Sequence, residues 1–155
     1  MNPSPKPEPR HRPKRRKRTL SSLKRELWKI VSQYIRLRDS ILTTGTKYEG
    51  LCISCGVKKL IENADAGHFI SRTNKVLCYD ERNVHLQCKR CNGYLKGNFA
   101  GYYNGLKARY GDGFANLLLD ISEETKGKPN QWKAFEIEEL LETYKQKFSK
   151  LQDTP

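Results

Sequence analysis

The sequence predicts an α+β fold that is mostly helical, with a small ββα core between N-terminal and C-terminal helices. Apolar residues recur at steps of three and four over residues 21–42 and again over residues 132–151, which is the spacing of amphipathic helices. Between these stretches, two Cys-x-x-Cys pairs bracket a segment that contains few large apolar residues. Such a segment cannot build a core alone, and a bound metal ion can supply the missing stability.

The predicted elements follow in order along residues 21–151, which we expect to form one domain with its core at residues 51–98. The first helix runs from Ser21 to about Leu42 and is stopped by Gly45. In the core, we expect a short strand or turn, two strands and a short helix, at residues 58–61, 64–70, 83–87 and 91–96. The later helices are expected at residues 99–110, 114–121 and 132–151.

The chain is strongly basic: its 155 residues carry a net charge of +13, and its pI is about 9.6. A protein so basic is expected to bind a polyanion, most simply DNA. Residues 1–20 contain repeated prolines and a run of like charges, so we expect a disordered arm that contacts the DNA backbone. The run consists of Lys14, Arg15, Arg16, Lys17 and Arg18. A nuclear-localisation signal has the same composition and remains an alternative.

The sequence also indicates in which cellular compartment the protein works. No apolar run approaches the roughly 18 residues that a membrane span needs. The Pro- and Arg-rich N-terminus lacks the apolar region of a signal peptide. Five cysteines, an odd number, in a lysine-rich chain argue against a disulfide framework. We therefore expect a cytoplasmic protein with reduced thiols and no membrane partner.

The two cysteine pairs predict a structural zinc site. They are Cys52 with Cys55 and Cys88 with Cys91, and each pair can supply two corners of a tetrahedron. Four thiolates leave no open position on the metal, so we expect this zinc to brace the fold and not to catalyse. The fifth cysteine, Cys78, lies in the run Val-Leu-Cys-Tyr and is expected to be a small buried residue.

Polar residues between and beside the cysteine pairs predict a hydrolytic site. Phosphodiester hydrolysis needs a base that activates water and a cation that neutralises charge on the phosphate and the leaving oxygen. His68 is the candidate base, since imidazole titrates near neutral pH. Asn92 can offer its amide oxygen to a hard cation such as Mg²⁺ or Mn²⁺. Asn83 can hydrogen-bond loop backbone and hold the strand of His68 in place.

This segment resembles the HNH (ββα-metal) nuclease superfamily in its His-Asn-Asn form. The resemblance is carried by Ala-Gly-His68-Phe-Ile-Ser-Arg72 and by Arg82-Asn83-Val-His85-Leu-Gln-Cys88-Lys-Arg-Cys91-Asn92. These stretches are similar in particular to the phage NinG/Rap family of recombination nucleases. The resemblance implies an HNH/treble-clef-like core and a metal-dependent endonuclease that cuts branched DNA, such as Holliday junctions and D-loops. It also implies a phage protein that works in the cytoplasm of its host.

One position departs from the superfamily pattern. Many members place an acidic metal ligand directly before the base histidine, where this chain has Gly67. Asp65 lies three positions before His68, so on a straight strand it would point away, and we expect it to join the cation only if Gly67 bends the chain. His85 shares a strand face with Asn83 and is a candidate third catalytic group. A structural strand histidine is the alternative.

Further expectations concern partners and competing functions. Phosphate contacts are expected from Arg72, Lys89, Arg90 and Lys96. A homodimer would suit an enzyme that acts on two strands. A non-catalytic zinc module that binds DNA or RNA remains the main alternative function. A sequence-specific HNH enzyme is disfavoured, because no base-reading element is evident.

Overall fold

The computed structural model describes residues 18–129 and 131–154. The predicted arm therefore lies outside the described residues except for its last three positions. The helices are α1 (Leu20–Thr44), α2 (Phe99–Tyr110), α3 (Phe114–Glu124) and α4 (Ala134–Asp153). The strands are β1 (Glu49–Leu51), β2 (Lys58–Leu60), β3 (Ala64–His68) and β4 (Val84–Cys88). The fold is α+β and mostly helical, as predicted.

Helix α1 is the long N-terminal helix that the apolar spacing predicted. It begins after Thr19, whose hydroxyl accepts a hydrogen bond from the amide of Ser22 at 3.2 Å. It ends at Gly45, which adopts a left-handed conformation with φ of 70°. One face of the helix is buried at steps of four residues, through Leu23, Leu27, Val31 and Ile35.

The three C-terminal helices differ from the prediction only at their ends. Helix α2 spans the predicted residues, and α3 runs past Ile121 to Glu124. Helix α4 begins two residues later than predicted, because the side chain of Glu136 accepts a hydrogen bond from the Lys133 amide at 2.7 Å and caps the helix there. Trp132 precedes the helix, and its ring packs edge-on against Tyr79.

The four strands form two separate antiparallel pairs. Strand β1 pairs with β2, and β3 pairs with β4. In the β3–β4 hairpin, Asp65 lies opposite Gln87, and Gly67 lies opposite His85. Residues that face each other across two antiparallel strands project their side chains to the same face. This register therefore decides which polar groups of the hairpin share a face.

Short elements account for the differences from the predicted core. Strand β1 was not predicted, because three residues are too few to show an alternating pattern. Strand β3 ends at His68, two residues earlier than expected. A π-helical turn at Arg90–Tyr94 replaces the helix expected at residues 91–96. Widened turns of this kind are frequent at functional sites.

Two apolar clusters enclose the β3–β4 hairpin. The first lies between α1, α4 and one face of the hairpin and includes Leu27, Val31, Ala66, Val84, Ile137 and Leu141. The second lies among the loop after β3, α2 and α3 and includes Phe69, Leu77, Tyr102, Leu106 and Leu118. The hairpin is thus held on one side by the first and last helices and on the other by α2 and α3.

Asp39 of α1 is a buried carboxylate that joins three elements. It accepts hydrogen bonds from the Leu86 amide in β4 at 2.7 Å and from the guanidinium of Arg38 at 2.8 Å. Arg109 of α2 approaches the same carboxylate at 3.3 Å. Because a buried charge is tolerated only with its partners in place, these bonds hold α1, β4 and α2 in one arrangement.

No helix within residues 18–129 and 131–154 has both the length and the apolar character that crossing a bilayer requires.

Replacing Asp39 by asparagine should destabilise the fold strongly. The change leaves Arg38 and Arg109 without their buried counter-charge, which costs about 3 kcal/mol or more. Urea unfolding followed by circular dichroism measures the loss. Asp112→Asn is the matched control, since that carboxylate is 84% exposed and forms an ion pair with Lys107 at 3.3 Å. The control should change stability by less than about 0.5 kcal/mol. Equal unfolding midpoints for the two variants would contradict the assigned role of Asp39.

Candidate metal centre and nucleic-acid site

The four paired cysteines converge as the spacing predicted. Their sulfur atoms all lie within 4.8 Å of one another. The Sγ atoms of Cys55 and Cys88 are 3.8 Å apart, which matches the edge of about 3.8 Å for a tetrahedron with zinc–sulfur bonds of about 2.3 Å. The cluster could therefore hold a metal such as zinc.

Local backbone structure positions each half of the cysteine cluster. After β1, the Gly56 amide donates to the Cys52 carbonyl at 2.8 Å, and Gly56 takes a left-handed conformation that closes the turn. Cys88 ends β4, and Cys91 lies in the π-helical turn. The side chain of Asn98 donates to the sulfur of Cys91 at 3.3 Å, as an outer partner of a metal ligand does.

Cys78 stands apart from this cluster. It is buried, and burial raises the pKa of its thiol. Its backbone carbonyl receives a hydrogen bond from the ring of His68. The side chain thus fits the expected small buried residue.

His68 is held in one tautomer at the end of β3. Its Nε2 lies 2.9 Å from the Cys78 carbonyl oxygen, which can only accept, so Nε2 carries the proton and Nδ1 keeps its lone pair. The ring stacks on Trp28 of α1, with centroids 4.9 Å apart. Burial lowers the pKa of His68; the hydrogen bond to Cys78 opposes this, and the charge of Arg72 adds to it. The ring is therefore neutral near pH 7.

Asp65 and Asn92 meet on the hairpin. The Asn92 Nδ2 donates to the Asp65 Oδ2 at 3.0 Å, which leaves Asp65 Oδ1 and the amide oxygen of Asn92 outside this bond. This contact needs no bend at Gly67, which pairs regularly with His85. It forms instead because the turn after β4 carries Asn92 over the hairpin. Carboxylate and amide oxygens are a donor set that suits Mg²⁺ or Mn²⁺.

A polar cavity of about 390 Å³ opens beside this pair. Strand residues and α1 residues line it together with two exposed cationic side chains. Its polar and aromatic lining consists of Trp28, Ser32, Arg36, Glu62, Asp65, Arg72, Lys89 and Asn92. Trp28 connects the two parts of the site, because it lines the cavity and also stacks on His68.

Asn83 is buried and closes the loop between β3 and β4. Its Oδ1 accepts from the Ile70 amide at 2.7 Å. Its Nδ2 donates to the carbonyls of Ile70 and Leu77, each at 2.9 Å. These bonds fix both ends of the loop that presents the Cys78 carbonyl to His68. Asn83 can thus act on the site only through the loop, since its amide is fully used.

The structure does not bring His85 to the cavity. The residue is only 1% exposed, and both ring nitrogens are bonded to tyrosine hydroxyls, at 3.0 Å for Tyr102 and 3.1 Å for Tyr110. Because Tyr102 donates to the Gly67 carbonyl, His85 Nδ1 must be the donor to Tyr102 and Nε2 the acceptor from Tyr110. Burial lowers the pKa of His85 to about 3. His85 matches the alternative interpretation, a structural strand histidine, and not a third catalytic group.

The predicted phosphate contacts lie at different distances from the cavity. Arg72 and Lys89 line it, whereas Arg90 and Lys96 are exposed but do not. The guanidinium of Arg72 also lies over the Trp28 ring, 5.6 Å from its centroid. In the predicted arm, Lys14, Arg15, Arg16 and Lys17 lie outside the described residues. Arg18 forms ion pairs with Glu26 at 3.1 Å and with Glu138 at 3.7 Å.

Sequence reasoning missed the contribution of α1 to the site. Trp28 supports the ring of His68, and Arg36 donates to the carbonyls of Ile61 at 2.7 Å and Ala64 at 3.3 Å, just before and at the start of β3. Both residues precede the hairpin by some thirty positions, and nothing in their local pattern distinguishes them from other helix residues. Only the packing of α1 on the hairpin shows their role.

Comparison with known proteins shows which family the chain resembles. Residues 5–153 match the family model described as NinG, Bacteriophage Lambda NinG protein. Protein ninG of Salmonella phage P22 is 34% identical over 128 residues, which cover 80% of this chain and 55% of that protein. Protein ninG of Escherichia phage lambda is 31% identical over 127 residues, which cover 80% of this chain and 54% of that protein.

The chain spans about half the length of these curated relatives. No solved structure matches it. The family match covers nearly the whole chain, including the hairpin, the cysteine cluster and the cavity. The chain belongs to the NinG family of phage proteins.

Proposed function

We propose that this protein is a metal-dependent DNA endonuclease of the HNH type that acts on branched recombination DNA. The observation that carries the proposal is the state of His68. The Cys78 carbonyl holds the proton of His68 on Nε2, Nδ1 keeps the lone pair that a base needs, and burial keeps the ring neutral near pH 7.

The proposed chemistry divides the work between His68, which stacks on Trp28, and the residues that line the cavity. His68 Nδ1 takes a proton from the water that attacks the phosphate, and the Cys78 carbonyl stabilises the charged ring that results. Asp65 and Asn92 would hold a divalent cation through their oxygen atoms. When bound, this cation neutralises charge on the phosphate and on the leaving oxygen. Arg72 and Lys89, which line the same cavity, contact the neighbouring phosphates.

Zinc at the four cysteines has a separate role in this proposal. It braces the turn after β1 against the end of β4 and leaves no position open for water. Because Asn92 directly follows Cys91 in the chain, the cysteine cluster also positions the amide that faces Asp65. The net charge of +13 supports DNA as the polyanion that the cavity receives.

The branched substrate rests on the resemblance of the His68 to Asn92 segment to recombination nucleases. An enzyme that cuts two strands of a junction would act well as a homodimer, and it would meet its substrate in the cytoplasm of the host cell. The second candidate function is a non-catalytic, zinc-dependent nucleic-acid-binding module. The closed cysteine cluster and the basic charge favour that function equally, but it requires neither a neutral His68 nor the Asp65–Asn92 pair.

Replacing His68 by alanine should abolish cutting while binding persists. Loss of a general base lowers the rate about 100-fold or more. Cleavage of a labelled four-way junction with Mg²⁺ measures the rate, and a mobility-shift titration measures binding. His68→Gln is a second variant, because its amide can still donate toward Cys78 but cannot accept a proton from water.

The control for these variants is Asp112→Asn, because that carboxylate is 84% exposed and does not line the cavity. It should cut at the parental rate. Cutting by His68→Ala or His68→Gln at the parental rate would contradict the proposed mechanism and leave the binding module as the better account.

The substrate preference predicts faster cleavage of branched DNA. A four-way junction and a linear duplex of the same arm sequence should differ by about tenfold or more, because recognition of shape should contribute at least 1.4 kcal/mol to the difference. Both are assayed under single-turnover conditions at the same salt concentration, since phosphate binding depends strongly on salt. Equal rates on the two substrates would contradict the preference for branched DNA.

A further inference from the structure

Gln87 of β4 presents a buried amide whose orientation is fixed. Its Nε2 donates to the Ser54 hydroxyl at 2.7 Å and to the Gly97 carbonyl at 2.8 Å. A carbonyl oxygen can only accept, so the nitrogen must face Gly97 and the amide cannot be reversed. The side-chain oxygen, Oε1, therefore points in the opposite direction.

That oxygen is buried and has no hydrogen-bond partner among the described residues. Every other buried side-chain nitrogen or oxygen in that part of the chain is paired. Buried polar atoms are almost always satisfied, so an exception that the rest of the fold holds rigidly calls for a ligand. An oxygen without a donor suits a cation.

The position of Oε1 is defined by Gly67. A Cβ atom placed on Gly67 would lie 1.9 Å from Gln87 Oε1 and 3.1 Å from Asn92 Oδ1. Gln87 Oε1 and Asn92 Oδ1 thus approach the same point from different elements, and only glycine at position 67 leaves that point open. Gln87 also lies opposite Asp65 in the hairpin register, so the two side chains share a face.

We propose that Gln87 supplies a third oxygen to the divalent-cation site, beside the carboxylate of Asp65 and the amide oxygen of Asn92. The inference rests on the cation site of the proposed function. In this site, Gly67 leaves room for the Gln87 oxygen. The hydrogen bonds from Nε2 to Ser54 and Gly97 orient that oxygen. Gln87 in this way connects the cysteine-cluster turn, which contains Ser54, to the second metal.

The test is the affinity of the zinc-loaded, full-length protein for Mn²⁺, measured from the free-ion signal in electron paramagnetic resonance. Gln87→Met keeps the length of the side chain but removes the oxygen. Gly67→Ala keeps Gln87 but places a methyl group where Oε1 lies. Each variant should bind Mn²⁺ about tenfold or more weakly, the scale on which such supporting ligands act. Bound zinc per chain and the urea midpoint report whether the fold is intact.

Gln146→Met is the matched control. It makes the same substitution at an exposed position of α4 that does not line the cavity, so it should leave Mn²⁺ affinity within about threefold of the parent. A tenfold loss in Gln146→Met as well would assign the effect to something other than the Gln87 oxygen and overturn the inference. Parental affinity in both Gln87→Met and Gly67→Ala would overturn it directly.

Asp65→Ala and Asn92→Ala separate this inference from the proposed function. If these two variants lose Mn²⁺ binding while Gln87→Met and Gly67→Ala keep it, only the role of Gln87 fails. If Asp65→Ala and Asn92→Ala also bind Mn²⁺ like the parent, the cation site of the proposed function fails with it.

Discussion

The convergence of four cysteine sulfurs within 4.8 Å is the constraint on which the site depends. Two sulfurs come from the turn after β1 and two from the end of β4 and the turn that follows. A metal at this position would fix the beginning of the hairpin region against its end, and a structural zinc site can contribute on the order of 10 kcal/mol to folding. Asn92 is the next residue after Cys91, so its placement against Asp65 follows from the same constraint.

The helices also position residues of the candidate site. Helix α1 packs on one face of the hairpin and brings Trp28 against His68 and Arg36 against the start of β3. On the other side, Tyr102 of α2 bonds His85 and the Gly67 carbonyl and seals the interior. Asn83 holds the intervening loop so that the Cys78 carbonyl faces His68. The ring of His68 is thus held between α1 and the loop that follows β3.

The sequence allowed the helices and the cysteine cluster to be predicted, because both depend on local spacing. Periodic apolar residues located α1 and α4 to within two residues at each end. Two features of the hairpin could not be predicted in the same way. The burial of His85 depends on Tyr102 and Tyr110 from a helix beyond the hairpin, and a strand pattern alone does not distinguish it from His68.

The position of Asp65 shows that the alternation of side chains along a strand is not enough to predict which residues meet. It was expected to reach the cation only through a bend at Gly67, yet Gly67 is regular, and Asp65 is met by Asn92 from the turn that follows β4. Trp28 and Arg36 were missed for the same kind of reason, since they join the site through the packing of α1. Spacing identifies residues within one element, whereas contacts between elements require the fold.

The most direct test of the two-metal account is anomalous diffraction from crystals grown with Mn²⁺, with data collected at the zinc and manganese edges. The account predicts a zinc peak about 2.3 Å from each of the four cysteine sulfurs. It predicts a separate manganese peak beside the oxygens of Asp65 and Asn92. A zinc-edge map without a peak among the sulfurs, or manganese bound only elsewhere, would contradict it.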